Sequence, residues 1–313
     1  MMTFLWLTVL LPTLYWDGGP ETAPTLRDAG VSQIAVPPST VAGWRSAEGI
    51  TVEAVDTAKM EKVPAPSVQM KVNEASATRS PWIDSNGWRY LRQPGVRFYG
   101  QANGSSAALA AVEAYVFGAE LLLHTDPAGL KPLGKALGFL SRLGEERLPD
   151  LVNIGYRDDG SEESAEVMNM LVRRNLLFTL VTAPNPTLDL NVQLGSNGYP
   201  IAEGFDPSEM AQKVRTDLTD AKRLVRIYGS EAVIARLGGN AQRVRVHLLN
   251  YAGLSRPVYG LRLRVRGQFE RHRVAAFEDP GAELQDYLVE PSATEFTLAK
   301  LGLYAVIDLF TAP

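Results

Sequence analysis

The chain has 313 residues, 45% of them hydrophobic and 21% charged, which is too apolar for a disordered chain and enough for one large core or two smaller ones. Its 31 basic and 35 acidic residues leave a net charge of −4, so no bulk electrostatics favour nucleic acid. Cysteine is absent, which excludes disulfides, thiolate nucleophiles and thiolate-bound metals. The three histidines, His124, His247 and His272, lack the spacing of a zinc site. No cofactor and no metal is expected.

The chain opens on the apolar run MMTFLWLTVLLPTLYW, too short to span a bilayer, where about 20 apolar residues are needed. Residues 1–11 read either as an export signal, without a basic start or a small-residue cleavage site, or as an N-terminal segment leading into a buried strand. On the first reading the protein is exported. No later stretch has transmembrane character.

From Thr13 to residue 229 short β-branched runs alternate with helical periodicity. The strand TLYWD precedes a helix stopped by Gly30, and SQIAVPP and ITVEAV follow as second and third strands. Residues 56–94 read as a long irregular loop, which is usually functional or hides short elements. Beyond it VRFYG, ELLLHTD, LVNIGYRDDGS, LLFTLV and LDLNVQLGS read as five further strands. Helices fall between most of them, one capped by Ser105 or Ser106, and a long amphipathic helix closes the region at 206–229. Eight strands with helical crossovers predict a (β/α)8 TIM-type barrel over 12–229. An open doubly wound sheet is the alternative, although no G-x-G-x-x-G follows a strand. After Gly229 seven short alternating runs without helices predict a small antiparallel β-sandwich over 230–313.

That architecture resembles glycoside hydrolases and their relatives. VRVHLLNYAG followed by VYGLRLRVRG is similar to the C-terminal domains of bacterial barrel glycosidases, and LAAVEAYVFGAE to a segment of those enzymes that leads into a barrel strand. The resemblance implies the fold and a carbohydrate substrate or ligand. It would also place glutamates at the ends of barrel strands four and seven, where this chain has VRFYGQAN and FTLVTAPNP, with no acid in either.

In such a barrel, functional groups stand at the carboxyl ends of strands. Asp17, Asp126 and Asp158 (followed by Asp159) occupy those positions. Asp126 and Asp158, on strands expected to be adjacent, are the candidate catalytic pair, since glycoside hydrolysis needs two carboxyls. Each also has a structural reading: Asp126 as a helix cap before Pro127, Asp158 and Asp17 as turn residues. The string PWIDSNGWRYLR offers Trp82 and Trp88 for stacking on a sugar ring, and Asp84 and Asn86 for its hydroxyls. Tyr156 and Arg157 are placed to join them. An anchored loop with a turn at Asp84 is the competing reading. Nine arginines between 236 and 273 face one acid, Glu270, and the alternation Arg262, Arg264, Arg266 puts three guanidiniums on one sheet face. A solvated or packed face is the simpler reading there, and for Arg173 and Arg174 it is complementation of a helix dipole. The favoured expectation is a glycoside hydrolase relative; the alternative is a non-catalytic glycan-binding or structural barrel protein.

Overall fold

A computed structural model describes residues 11–69, 81–144, 148–253 and 255–312, so the segment read as a signal falls almost wholly outside the described residues. In chain order the first elements are β1 (Thr13–Tyr15), α1 (Ala23–Asp28), β2 (Gln33–Val36), β3 (Thr51–Ala54), β4 (Glu61–Val63), β5 (Ser67–Gln69), β6 (Trp82–Asp84) and α2 (Gly87–Arg92). There follow β7 (Arg97–Gln101), α3 (Ser106–Phe117), β8 (Glu120–His124), α4 (Pro127–Arg142), β9 (Ile154–Arg157), α5 (Glu162–Arg173), β10 (Phe178–Leu180), β11 (Leu190–Gln193) and α6 (Pro207–Leu218). Eight strands complete the chain: β12 (Val225–Tyr228), β13 (Val233–Gly239), β14 (Arg243–Asn250), β15 (Val258–Arg266), β16 (Arg271–Ala276), β17 (Leu284–Val289), β18 (Ala293–Leu301) and β19 (Tyr304–Phe310). The described residues fall into two compact units, one drawn from 1–67 and 93–147, the other from 68–92 and 148–313.

The first unit is built on a parallel sheet in the order β3-β2-β1-β8-β7-β4. Each step along the chain moves to the next strand in one direction, β8 pairs back onto β1, and hydrogen bonding is interrupted between β3 and β4. The result is an open six-stranded parallel sheet with β3 and β4 at its two edges. Its apolar face carries Leu14, Ile34, Phe98, Leu121, Leu123 and Val63, all buried. The apolar helix α3, buried from Ala107 to Phe117, packs on β8 and ends at Gly118, whose φ of 66° suits a residue without a Cβ. The opposite face is mixed, with Arg97, Glu53, Glu120 and His124 beside Tyr15, Tyr99 and the buried Leu122 and Ala35. There Arg97 on β7 donates from both terminal nitrogens to Glu53 on β3, each at 2.8 Å. In a flat sheet those strands would lie about 19 Å apart, too far for the two side chains to bridge. The bond therefore requires the sheet to curl with this face inward.

The second unit holds a parallel three-stranded sheet, β10-β9-β11, with α5 and α6 packed together, and the pair β5-β6. Two antiparallel sheets follow, β12-β15-β18-β17 and β13-β14-β19-β16. Alternate residues from both, among them Val246, Leu248, Leu261, Leu263, Phe296, Leu298 and Ile307, form one apolar core.

Three expectations are corrected. No closed ring of eight strands is present among the described residues: β8 takes the edge of β1 expected to be free for the eighth strand, and β9, β10 and β11 pair among themselves. The stretch 56–94 is not one irregular loop, since it contributes β4, β5, β6 and α2. The amphipathic run 206–229 is not one helix. It stops at Leu218, where Thr219 has a φ of 66°, and its end becomes β12, so the change to antiparallel pairing comes before Gly229.

Candidate functional site

The two carboxylates expected to act together are on different sheets and in different units. Asp126 follows β8, whose neighbours are β1 and β7, while Asp158 follows β9, whose neighbours are β10 and β11. Each is engaged by its own backbone. Asp126 is the N-cap of α4, its Oδ1 accepting from Gly129 N and Gly104 N, both at 2.9 Å. Asp158 accepts from Arg92 Nε at 2.8 Å and Nη2 at 3.0 Å, from Gly160 N at 3.0 Å and from Ser164 Oγ at 2.8 Å. Burial pushes its pKa up, but the Arg92 bond and the other donors outweigh that and hold the carboxyl below its usual range.

Asp17 stands differently. The parallel register pairs Tyr15 with His124, and just beyond it Asp17 Oδ2 lies 3.4 Å from His124 Nε2. Tyr15 meets Tyr99 edge to face at 5.5 Å, and burial, Tyr15 and Asp17 together raise the Tyr99 pKa. His124 Nδ1 and Thr125 Oγ1 are buried without a hydrogen-bond partner. Zinc-site spacing does not single out His124 in the sequence. The available signal was its place at the end of a strand, two residues before Asp126.

Of the six residues expected to hold a sugar, Trp82 alone lines the described cavity of the second unit. Asp84 accepts from Gln69 Nε2 at 2.9 Å, across the β5-β6 pair. Asn86 is buried and accepts from Arg89 Nη1, and the Arg89 guanidinium lies 4.3 Å from the centre of the Trp88 ring. Ser85 Oγ bonds Tyr251 Oη at 2.8 Å, which ties this segment to the end of β14. Tyr156 is fully buried, its hydroxyl 3.0 Å from Ser164 Oγ, and burial raises its pKa well above the usual range. Arg157 donates from Nη1 to Gln193 Oε1 at 3.1 Å.

The cavity has a volume of about 490 Å³, within the range of small-molecule sites. Trp82, 38% exposed, and Tyr228, 44% exposed, supply its aromatic surface. Arg173 stacks over the Trp82 ring at 3.5 Å. Arg174 donates from Nη2 to Ser208 Oγ at 2.8 Å, and Arg223 donates to the Arg174 carbonyl at 3.0 Å. Asp220 is shared between Arg215, at 3.2 Å, and Arg223, at 3.4 Å. The Arg215 bond leads in holding its pKa down. Arg173 and Arg174, read from sequence as dipole partners closing a helix, thus also line a cavity. Their signal was the charge itself, since nothing in the linear pattern brings α5, α6 and β12 together.

Most arginines of the C-terminal sheets meet an acid, while Arg271 lies over the Phe310 ring. Arg262 pairs with Glu295 at 2.6 Å, Arg264 with Glu290 and Glu295, and Arg266 with Asp189 at 2.7 Å. Arg243, Arg245 and Arg273 converge on the buried Asp308. Among the described residues no group of three or more metal-binding side chains could hold an ion, and no helix is long and apolar enough to cross a membrane.

No family model matches the sequence, and no curated protein matches it. Solved structures do resemble it in fold. The chain is similar to α-L-fucosidase isoenzyme 2 from Paenibacillus thiaminolyticus, with 10% identity, 72% of this chain and 62% of that one covered, and a TM-score of 0.55. It is more distantly similar to a catalytic mutant of Gan42B, a GH42 β-galactosidase from G. stearothermophilus, with 8% identity, 96% and 59% coverage and a TM-score of 0.40. The fold thus resembles that of glycoside hydrolases, and the fucosidase match carries that statement. The chain spans 62% of the fucosidase's length.

Proposed function

We propose that this protein binds carbohydrate without hydrolysing it, on a glycoside hydrolase-like scaffold: a β/α barrel opened at one seam, followed by a β-sandwich. The observation that carries the reading is the cavity beside Trp82, which combines exposed aromatic surface with many hydrogen-bond donors. Sugars ask for both, a flat apolar face under the ring and directional partners for the hydroxyls.

Hydrolysis needs two carboxyls, one of them held protonated near neutral pH. Asp126 is used as a cap, Asp158 is bound by Arg92, and the cavity's Asp220 is bound by two guanidiniums. The carboxyls whose pKa is displaced, among them Glu53, Asp158, Asp220 and Glu295, are displaced downward, away from a general acid. A hydrolytic reading keeps one specific support, the pairing of Asp17 with His124 at the carboxyl ends of β1 and β8.

A glycan array together with an aryl-glycoside panel, fucosides first because the fold neighbour is named a fucosidase, tests both. Binding without turnover, abolished by Trp82→Ala and indifferent to Asp17→Asn, is the expected result. Turnover that disappears in Asp17→Asn and persists in Trp82→Ala would contradict the proposal and move the site to the strand ends of β1 and β8.

A further inference from the structure

The cavity beside Trp82 is out of charge balance. Arg173, Arg174, Arg215, Arg223 and Arg226 line it, against two carboxylates, Asp220 and Glu231. Asp220 is already shared by Arg215 and Arg223. Among the described residues no carboxylate lies within ion-pair distance of Arg173, Arg174 or Arg226. Burial first, and neighbouring guanidiniums second, depress the pKa of Arg173, Arg174 and Arg223, and the more distant carboxylates Asp84, Glu166, Glu231 and Asp206, together with Asp220 on Arg223, offset this only in part.

The sheet register sharpens the point. Arg226 on β12 stands opposite Arg264 on β15, and Arg264 stands opposite Glu295 on β18. One row across three strands therefore holds two guanidiniums and one carboxylate. Arg264 takes that carboxylate and Glu290 as well, so Arg226 faces a like charge, an arrangement that destabilises a sheet. On β15, the neighbouring strand, Arg262, Arg264 and Arg266 each meet an acid. Arg226 meets none among the described residues.

We propose that this cavity binds an oxyanion, carried as a carboxylate or sulfate group on a saccharide, with Arg173, Arg174 and Arg226 as its donors and Trp82 beside the sugar ring. Guanidinium groups suit that task because their planar donors match the oxygens of a carboxylate or sulfate in pairs. The saccharide half of the inference rests on the carbohydrate-binding reading; the oxyanion half rests on the unpaired guanidiniums alone.

Calorimetric titration at low salt separates the two halves. The probes are trigalacturonate and its uncharged methyl ester, a sulfated chondroitin disaccharide and its unsulfated, methyl-esterified form, and inorganic sulfate. They are run on the full chain, on Arg226→Gln and on Arg173→Gln, with melting temperature and circular dichroism recorded to show that both variants fold. At least one charged saccharide is expected to bind more tightly than its neutral counterpart, and each substitution is expected to weaken it about tenfold. Sulfate that binds the wild type and not Arg226→Gln, with no saccharide bound, keeps the oxyanion site and removes the carbohydrate reading. Neutral saccharides that bind as tightly as charged ones, with both variants unchanged, overturn the oxyanion site and leave the carbohydrate reading standing. Silence from every probe overturns it as well.

Discussion

Two groups of arginines in the second unit show how the same side chain can serve structure in one place and a ligand in another. On the C-terminal sheets Arg243, Arg245 and Arg273 meet at Asp308, which is 2% exposed, and Arg262 and Arg264 share Glu295. Around the cavity Arg174 meets the Ser208 hydroxyl, Arg173 meets the Trp82 ring, and none of Arg173, Arg174 and Arg226 forms an ion pair among the described residues. Burying a charge is costly unless it is paired, so the first group explains itself within the fold and the second does not. Position relative to acids, rather than density of arginine in the sequence, separates them.

The largest expected effect tests the paired group. Asp308→Ala removes the partner of the buried Arg245 and should cost about 3–5 kcal/mol, read from the denaturant midpoint of the C-terminal sheets. A loss under about 1 kcal/mol would mean that the arginines are solvated after all. Acid should act on the same residue. Burial raises the Asp308 pKa, but Arg245, Arg273 and Arg243 overcome that and bring it to about 2. A depressed folded-state value gives stability that is complete above the unfolded value of about 4 and is lost as the pH falls toward about 2. The contribution is about 2 kcal/mol, and a melting series across that window should show it in the wild type and not in Asp308→Asn.

A smaller loss tests the two aspartates taken from the sequence as catalytic. Arg92→Ala should destabilise by about 2 kcal/mol, since it strips two charge-assisted bonds from Asp158. Asp126→Ala should cost about 1 kcal/mol by uncapping α4. Thermal unfolding measures both, and an unchanged melting temperature in either variant would return that aspartate to the list of functional candidates. The smallest effect sharpens the comparison from the paired side. Arg264→Gln, a partly exposed ion pair, should change stability by less than about 1 kcal/mol.

Local signals were legible in the sequence and pairings were not. Asp126 caps α4 with a backbone bond as its residue type suggests, Ser105 stands at the N-cap of α3 without a side-chain bond, and the alternating runs after residue 230 are strands. What the pattern hid were choices made at long range. Nothing in ELLLH says that it pairs with TLY rather than with a later strand, because any apolar run can fill either edge of β1. EKV and SVQ are three-residue strands inside a stretch rich in Pro and Ala, too short to show a period. KRLVRIYG continues the helical spacing of the preceding helix, yet Thr219 turns the backbone and β15 captures Val225–Tyr228. The candidate site was half visible: aromatic composition pointed to Trp82, while the arginines around it come from α5, α6 and β12 and meet only in the fold.

The most direct test compares two arginines that face each other across a strand pair. Titrating a charged oligosaccharide such as trigalacturonate into Arg226→Gln and Arg264→Gln, side by side with wild type, asks whether the open guanidinium binds and the paired one does not. The account predicts binding weakened about tenfold in Arg226→Gln and unchanged in Arg264→Gln. Equal affinities in all three proteins, or an equal loss in both variants, would contradict it.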